Sequence, residues 1–573
     1  MTSNQYSPSF RRALSVMLLI VAVTAMQTPA WQGGTATAPA TASIKPTAKA
    51  AVLSASEREA AARVKVETIR EVTTALVASE MEGRGTATPG GERAAKYLAD
   101  RFAKLGLKPL GDAGTYLQAV KFKSTQVLPE STLKAGDMTL KFGADFVLAP
   151  INVENADASG GLVFVGYGVV SSDLKRDDLA GLDVKGKVVM LAGGRPKNVD
   201  EAAWKKAVTP QSMMMSLLGR GAAGIIMTNI GSKDQPFTLL ADYMSRRSVA
   251  LMSGGGNNPP FKLPPILLAS NEAAEKMFAG SGTTYAQALA KIEAGESASR
   301  DLGKAVTIVV RANKDEVIGS NVAGVLEGSD AKLKEQAIIY TAHYDAYGTN
   351  AKGQVFPGAA DNALGVAEMV AIAEAFAKAS PRPRRSVIFL AVTGEEHGLL
   401  GAKHWANNPT WPIDKVVADL NFDGIGTEVY GPVKKIVGFG AEHSDLGAVL
   451  DDVATATGNM ITPDPLPEEN VFYRSDHYEF VKKGVPALML MGGPDIDEQS
   501  YIARMKKWME TDYHKPTDTI RPDWNWDGPR GLSVVGLVIG MRIANNEALP
   551  QWLPSSPFNK LRSTAAPATT GAK

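Results

Sequence analysis

The spacing of apolar positions changes along the chain, and each change marks a different kind of element. From Ser56, the residues Val64, Val66, Ile69, Val72 and Leu76 recur at intervals that suit one helix face, predicting a helix to about Ala78. Residues 79–92 are rich in Gly and Pro and predict a loop. The run ERAAKYLADRFAKLGL then predicts a helix stopped at Gly106, with Ala95, Leu98, Phe102 and Leu105 on its buried side. The middle third carries short β-like runs, GLVFVGYGV, KVVMLAG, AAGIIMTN and PPILLAS, divided by Gly, Asp and Lys turns. They predict a separate β-rich domain over residues 126–300, a lid or spacer lacking a concentrated set of His and acidic residues. Within it, Met213, Met214 and Met215 read as core packing, and the glycine-rich stretch 245–262 as a mobile flap. From Ala305 the runs VTIVVRA, NVAGVLEG, QAIIYTAH, SVIFLAVTG, KVVADLNFDG and GVPALMLMG are continuously apolar, the pattern of central strands covered on both faces. Helical patterns at 363–379, 398–406, 443–457 and from Leu532 lie between and after them. The expected fold class is α/β, a mixed central sheet sandwiched by helices, with this domain in two pieces, 56–125 and 301–548.

The ends differ in character from this body. Arg11 and Arg12 precede an apolar run over 13–26, which has the length and charged flank of a secretory signal and is short for a membrane span. Residues 1–30 are therefore expected to be removed after Ala25 or Ala30, leaving a periplasmic or secreted protein with no stable membrane insertion; an uncleaved anchor is the alternative. Residues 31–55 are rich in Ala, Thr, Pro and Lys and read as a disordered tether, and 549–573 as a disordered tail. Among 573 residues, 45% hydrophobic and 21% charged is the balance of a packed globular protein. A formal net charge of +1 gives no basic excess for a nucleic acid. The oligomeric state is not legible.

The absence of Cys leaves imidazole and oxygen as the only strong transition-metal ligands, and it excludes a lipid-modified Cys anchor. In open α/β sheets functional groups collect beyond the carboxyl ends of strands, and the candidates here sit at such ends. QAIIYTA runs into His343; alternation places Asp345 on the same side, where it could hydrogen-bond the imidazole and set its tautomer. Asp361 follows in a Gly-Ala turn, Glu395 and Glu396 end SVIFLAVTG, and Asp423 ends KVVADLN. Adjacent glutamates leaving a strand point apart, so one can bind a metal while the other reaches a bound water. His514 lies in DYHKPTDT, where Tyr513 could donate a hydrogen bond to a developing oxyanion. These residues predict a two-metal hydrolase centre.

The ordered set H-x-D, G-A-x-D-N, G-E-E-x-G-L-x-G, N-x-D-x-x-G, S-D-H and Y-H-x-x-x-D resembles peptidase family twenty-eight, the di-zinc aminopeptidases. E-G-R-G-T-x-x-P-G-G-E and N-V-A-G-V-L-E-G are similar to that family too, and VGYG with GAAGIIMTN resembles the protease-associated domain inserted in such enzymes. The likeness spans most of Ser56 to Asn546. It implies the zinc-dependent exopeptidase fold and two Zn2+ per chain, with His343 and Asp423 on one zinc, Glu396 and His514 on the other, and Asp361 bridging. It further implies Glu395 as general base, Tyr513 on the tetrahedral intermediate and a peptide substrate. The stretch DIDEQSYIARMKKWME before Tyr513 is an insertion of open role.

Other readings compete. His477 in RSDHYEF reads as structural or supporting, and His397, His404 and His443 as ordinary loop or surface residues. Arg474 could contact a substrate carbonyl or carboxylate, or pair with Asp476 or another local acid. The metal motifs do not say which end of a peptide enters, so a carboxypeptidase or dipeptidase stands beside the aminopeptidase. A single-zinc cyclase and a non-catalytic binding relative are further alternatives.

Overall fold

The computed structural model describes residues 52–149, 155–231, 236–252, 263–350, 352–424 and 426–561. They fall into two compact units, one of the described residues between 124 and 248 and between 263 and 315, the other of those between 52 and 123, 249 and 252, and 316 and 561. The signal expectation over 1–30 and residues 31–51 of the tether expected over 31–55 lie outside the described residues, and the tether's last residues, Ser54 and Ala55, cap and open a helix.

The larger unit is built on a ten-stranded mixed sheet. Its centre is parallel: Ala337–His343 lies between Ser386–Val392 and Val416–Asn421, and Ala487–Gly492 follows beside Val416–Asn421. Antiparallel strands flank it, Ala312–Leu326 on one side and Lys435–Phe439 on the other. Every residue of the four parallel strands is buried, which is why they read as unbroken apolar runs rather than alternating ones. One face is covered by helices Val66–Leu76, Gly365–Ala377 and Asp527–Asn545, the other by Leu400–Asn407 and His477–Val481. Gly365–Ala377 is apolar nearly all round because the sheet and two further helices enclose it.

Several expectations change here. The single helix from Ser56 is two, Ala55–Ala61 and Val66–Leu76. The chain breaks so that Val64 can bury fully, and its carbonyl accepts from Arg530 Nε instead of a helical N–H. The next helix starts at Pro89, earlier than expected, because Thr88 caps it by accepting from Gly91 N and Pro suits the first turn. Leu105 packs only partly against the core. The chain does not leave the fold at Leu549: Trp552 is buried and its indole donates to the Gly484 carbonyl. Residues 562–573 lie outside the described set.

The smaller unit has an eight-stranded sheet with a parallel centre of Ala156–Phe164, Val188–Ala192, Gly224–Thr228 and Ile266–Ala269. Helices including Glu201–Ala207, Pro210–Gly219 and Tyr285–Glu293 accompany it, so it is α/β rather than β alone. VTIVVRA, expected beside the catalytic strands, has residues 306–310 in this sheet within Arg300–Val310, with Val306, Ile308 and Val310 in its core. Met213 and Met214 pack against the core while Met215 is exposed. In the expected flap, Ser248–Leu251 is an edge strand of the ten-stranded sheet, and 253–262 lie outside the described residues.

Candidate metal centre

Strand register brings the first ligand candidates together. Thr341 aligns with Asn421 and His343 with Val392, so the chain leaving all three strands does so at one edge. His343 Nε2 lies 3.2 Å from Asp361 Oδ1 and 3.2 Å from Asp423 Oδ1. His514 Nε2 lies 3.3 Å from Asp361 Oδ2 and 3.2 Å from Glu396 Oε2. Two triads therefore share Asp361, one carboxylate oxygen to each. Glu395 belongs to neither triad and holds Oε2 3.9 Å from His343 Nε2.

Local structure explains each placement. Gly394 takes φ +76°, open to glycine at little cost, and turns the strand end into the short helical turn carrying Glu395 and Glu396. Asp361 sits in a kinked turn over Ala359–Leu364, and Asp518 braces that turn by accepting from Ala360 N and Asp361 N. Asn362 ties it to the Asp423 loop, donating to Phe422 O and accepting from Gly424 N. His514 is held at φ +58°, with Tyr347 Oη 3.0 Å from its Nδ1, an arrangement that leaves Nε2 facing the carboxylates.

Asp345 differs from its expected place. The strand ends at His343, and its imidazole Nδ1 is 3.2 Å from the Asp345 main-chain oxygen but 3.8 Å from the carboxylate. The backbone carbonyl, rather than the side chain, is in position to hold Nδ1–H. The carboxylate instead accepts from Thr86 Oγ1 and Glu395 N, bracing the base candidate. Arg474 pairs with Glu469 at 3.3 Å, not with Asp476, whose fully buried carboxyl is pushed well above its usual range. Tyr513 stacks on the His514 ring with centroids 3.6 Å apart. Burial and the Asp361 carboxylate raise its phenol well above the ordinary value, opposed by Arg474. His477 is fully buried beside Asn421 and Phe472, and burial pushes it down to about 4.

Sequence reasoning missed three supporting residues. Arg84 is fully buried and donates to the carbonyls of Tyr344, Leu76, Pro357 and Gly358, pinning the loops after His343 and before Asp361. Burial lowers it to about 10. Thr86 and Tyr347 act similarly on Asp345 and His514. The signals lay in E-G-R-G-T and H-Y-D-A-Y, but nothing local shows where those side chains reach.

The donor set fits dications. Zinc ligands at 2.0–2.1 Å in a tetrahedron stand about 3.3 Å apart, and the four His–carboxylate separations match that edge. The two triads bring three carboxylates against two imidazoles. Burial lowers the His343 imidazole, yet Asp423, Glu395 and Asp361 pull it well above its usual value. Burial and the Asp361 carboxylate push Glu396 well up, and burial does the same to Glu395. Asp361 moves the other way: burial would raise it, but the His343 and His514 rings hold it well below the carboxylate range.

Residues 321–532 match the family model described as peptidase family M28. This segment belongs to peptidase family M28. The M28 segment contains all five metal-ligand candidates, Glu395 and Tyr513. Among curated relatives, a probable zinc metalloprotease of Leptosphaeria maculans is 36% identical over 110 residues, 19% of this chain and 25% of its own. A vacuolar membrane protease of Lodderomyces elongisporus is 25% identical over 171 residues, 30% of this chain and 16% of its own. The chain thus spans about a quarter or less of these relatives' length. The fold is that of an aminopeptidase from Aneurinibacillus sp. strain AM-1, with TM-score 0.54 and 17% identity over 86% of this chain and 97% of that one. A zinc aminopeptidase of Bacillus subtilis gives TM-score 0.53 and 18% identity over 84% and 96%.

The relatives also correct the expected location. Several matches are named vacuolar membrane proteases, from Lodderomyces elongisporus and Candida dubliniensis among others, and they overturn the periplasmic or secreted expectation. No helix among the described residues is long and apolar enough to cross a membrane.

Proposed function

We propose that the chain is a zinc-dependent aminopeptidase that removes N-terminal residues from peptides, with two Zn2+ held by His343 and Asp423, by Glu396 and His514, and by Asp361 between them. The observation that carries this reading is the pair of triads sharing Asp361, with Glu395 beside them and outside both. Bound there, the dications would supply Lewis acidity to the scissile carbonyl and lower the pKa of a nucleophilic water.

The chain's own groups do the rest. Glu395, held through its backbone by Asp345, takes the proton of the attacking water and returns it to the leaving amine. Tyr513 keeps its phenol protonated and donates to the oxyanion, next to Arg474. Glu395 and Asp423 line the cavity beside the centre and are the acids available to a free amine. A carboxypeptidase would need a free cationic clamp, and Arg474, the motif-adjacent candidate, is already engaged by Glu469. The smaller unit we take as a protease-associated-type insert acting as lid or spacer.

Peptides blocked at one end or the other, digested by purified protein with and without chelator and read by mass, test this. Release of residues from free N-termini, abolished by chelator and restored by zinc, is expected. Cleavage confined to N-blocked peptides, or one metal per active chain, would sink it.

A further inference from the structure

A cleft of about 730 Å³, a volume that includes its open mouth, adjoins the centre and is bordered by Asp361, Glu395 and Asp423. Four methionines, Met489, Met491, Met505 and Met509, line it. They come from two places: the strand Ala487–Gly492 and the helix Glu498–Thr511, the insertion whose role the sequence left open. Tyr501, Met505 and Trp508 form that helix's buried face. A wall of unbranched thioethers adapts to a long, flexible side chain better than one of branched residues does.

An apolar wall alone would suit leucine or methionine. This wall also carries Asp464 and Glu469. Glu469 has a counterion in Arg474. Asp464 has none among the described residues: its Oδ1 accepts from Leu466 N, and the neighbouring charges that act on it, Glu468 and Glu442, are carboxylates. A partly buried carboxylate with no counterion of its own, set beside a methionine wall, is costly unless the ligand brings a cation. A lysine or arginine side chain supplies both parts, an aliphatic stem for the methionines and a charged head for the acid.

We propose that this cleft selects peptides whose N-terminal residue is lysine or arginine, with Met489, Met491, Met505 and Met509 packing the stem and Asp464 receiving the charge. The proposal rests on the aminopeptidase reading above and names the substrate class of that site.

The full chain loaded with zinc is given peptides differing only in the N-terminal residue: Lys, Arg, norleucine, Leu, Phe and Glu. Expected is a kcat/KM for Lys and Arg roughly 10-fold or more above norleucine, the stem without the charge, as a removed ion pair should cost. In D464N the Lys-to-norleucine ratio should fall by about the same factor, and in Asp464→Glu it should largely recover. Norleucine or Leu cleaved as fast as Lys by the wild type would overturn the proposal, and that test needs no variant to fold. Equal losses for Lys and norleucine in D464N would overturn it too, since they mark a structural role. Failure of the underlying reading looks different: no free N-terminus would be processed, whatever its side chain.

Discussion

At the residue scale, the proposed centre separates the groups that would hold metal from the one that would act. Glu395 lies beside the triads without belonging to either, so Glu395→Gln should lower kcat by about 10²- to 10⁴-fold while metal content per chain stays at the wild-type value. Loss of metal in that variant would mean that Glu395 is a ligand. Arg84 is the opposite kind of residue: it touches no substrate atom but satisfies four backbone carbonyls from a fully buried position. Arg84→Met should cost about 3–5 kcal/mol in denaturant unfolding, because those carbonyls would stay buried without donors. His477 gives a pH signature. Its folded-state value of about 4 is below the ordinary 6.5, so the unfolded chain binds the proton more readily. Its share of stability is whole above pH 6.5 and is lost as pH falls toward 4, a difference on the order of 3 kcal/mol. Melting temperatures from pH 7.5 to 4 should fall less steeply in His477→Asn than in the wild type.

At the element scale, the decisive parts are turns rather than strands. Gly358 takes φ +56°, and a Cβ there would stand 2.4 Å from Asp361 O and 2.7 Å from Ala346 Cβ. Gly358→Ala must therefore move the turn that carries Asp361, the candidate shared by both triads. Zinc affinity, read by competition with a chelating dye, should drop by about 10- to 100-fold, the scale seen when the support of a ligand is disturbed. The helix Glu498–Thr511 shows the reverse relation between local pattern and role. Its Asp497 cap and the 501-505-508 apolar spacing are ordinary helix signals, although DIDEQSYIARMKKWME reads in the sequence only as an insertion of open role. Only its packing against Val437, Phe439 and Met489 turns it into a wall of the cleft.

At the scale of the whole molecule, the ligand candidates come from a strand end and from turns and loops far apart in sequence, His343 and His514 at the extremes. Cations that join them should hold those loops in the folded state and have no equivalent hold on the unfolded chain. Removing metal with chelator should lower the melting temperature by several degrees, and restoring zinc should return both stability and activity. At a free zinc concentration of 1,000 times Kd, each site contributes about 4 kcal/mol. An unchanged melting temperature after verified metal loss would show that the loops are pre-set without it.

The local pattern of the chain determined a good deal. Buried parallel strands require unbroken apolar runs, and the residue following such a run is placed at the sheet's carboxyl edge, so His343, Glu395, Glu396 and Asp423 were legible from strand signals and residue type. Other features depend on partners distant in sequence. VTIVVRA has the apolar run of a catalytic strand yet pairs in the other sheet, since β pairing is chosen by whichever partner strand reaches it. Trp552 sits in a Pro- and Ser-rich tail, and its burial needs a pocket made by residues 437–505. Alternation along a strand pointed the Asp345 carboxylate at His343, but the strand stops there, and Thr86 and Glu395 N claim it instead. Tertiary structure alone decided which oxygens meet which nitrogens, because hydrogen bonds and ion pairs act over about 3 Å while the groups that make them are set tens to hundreds of residues apart.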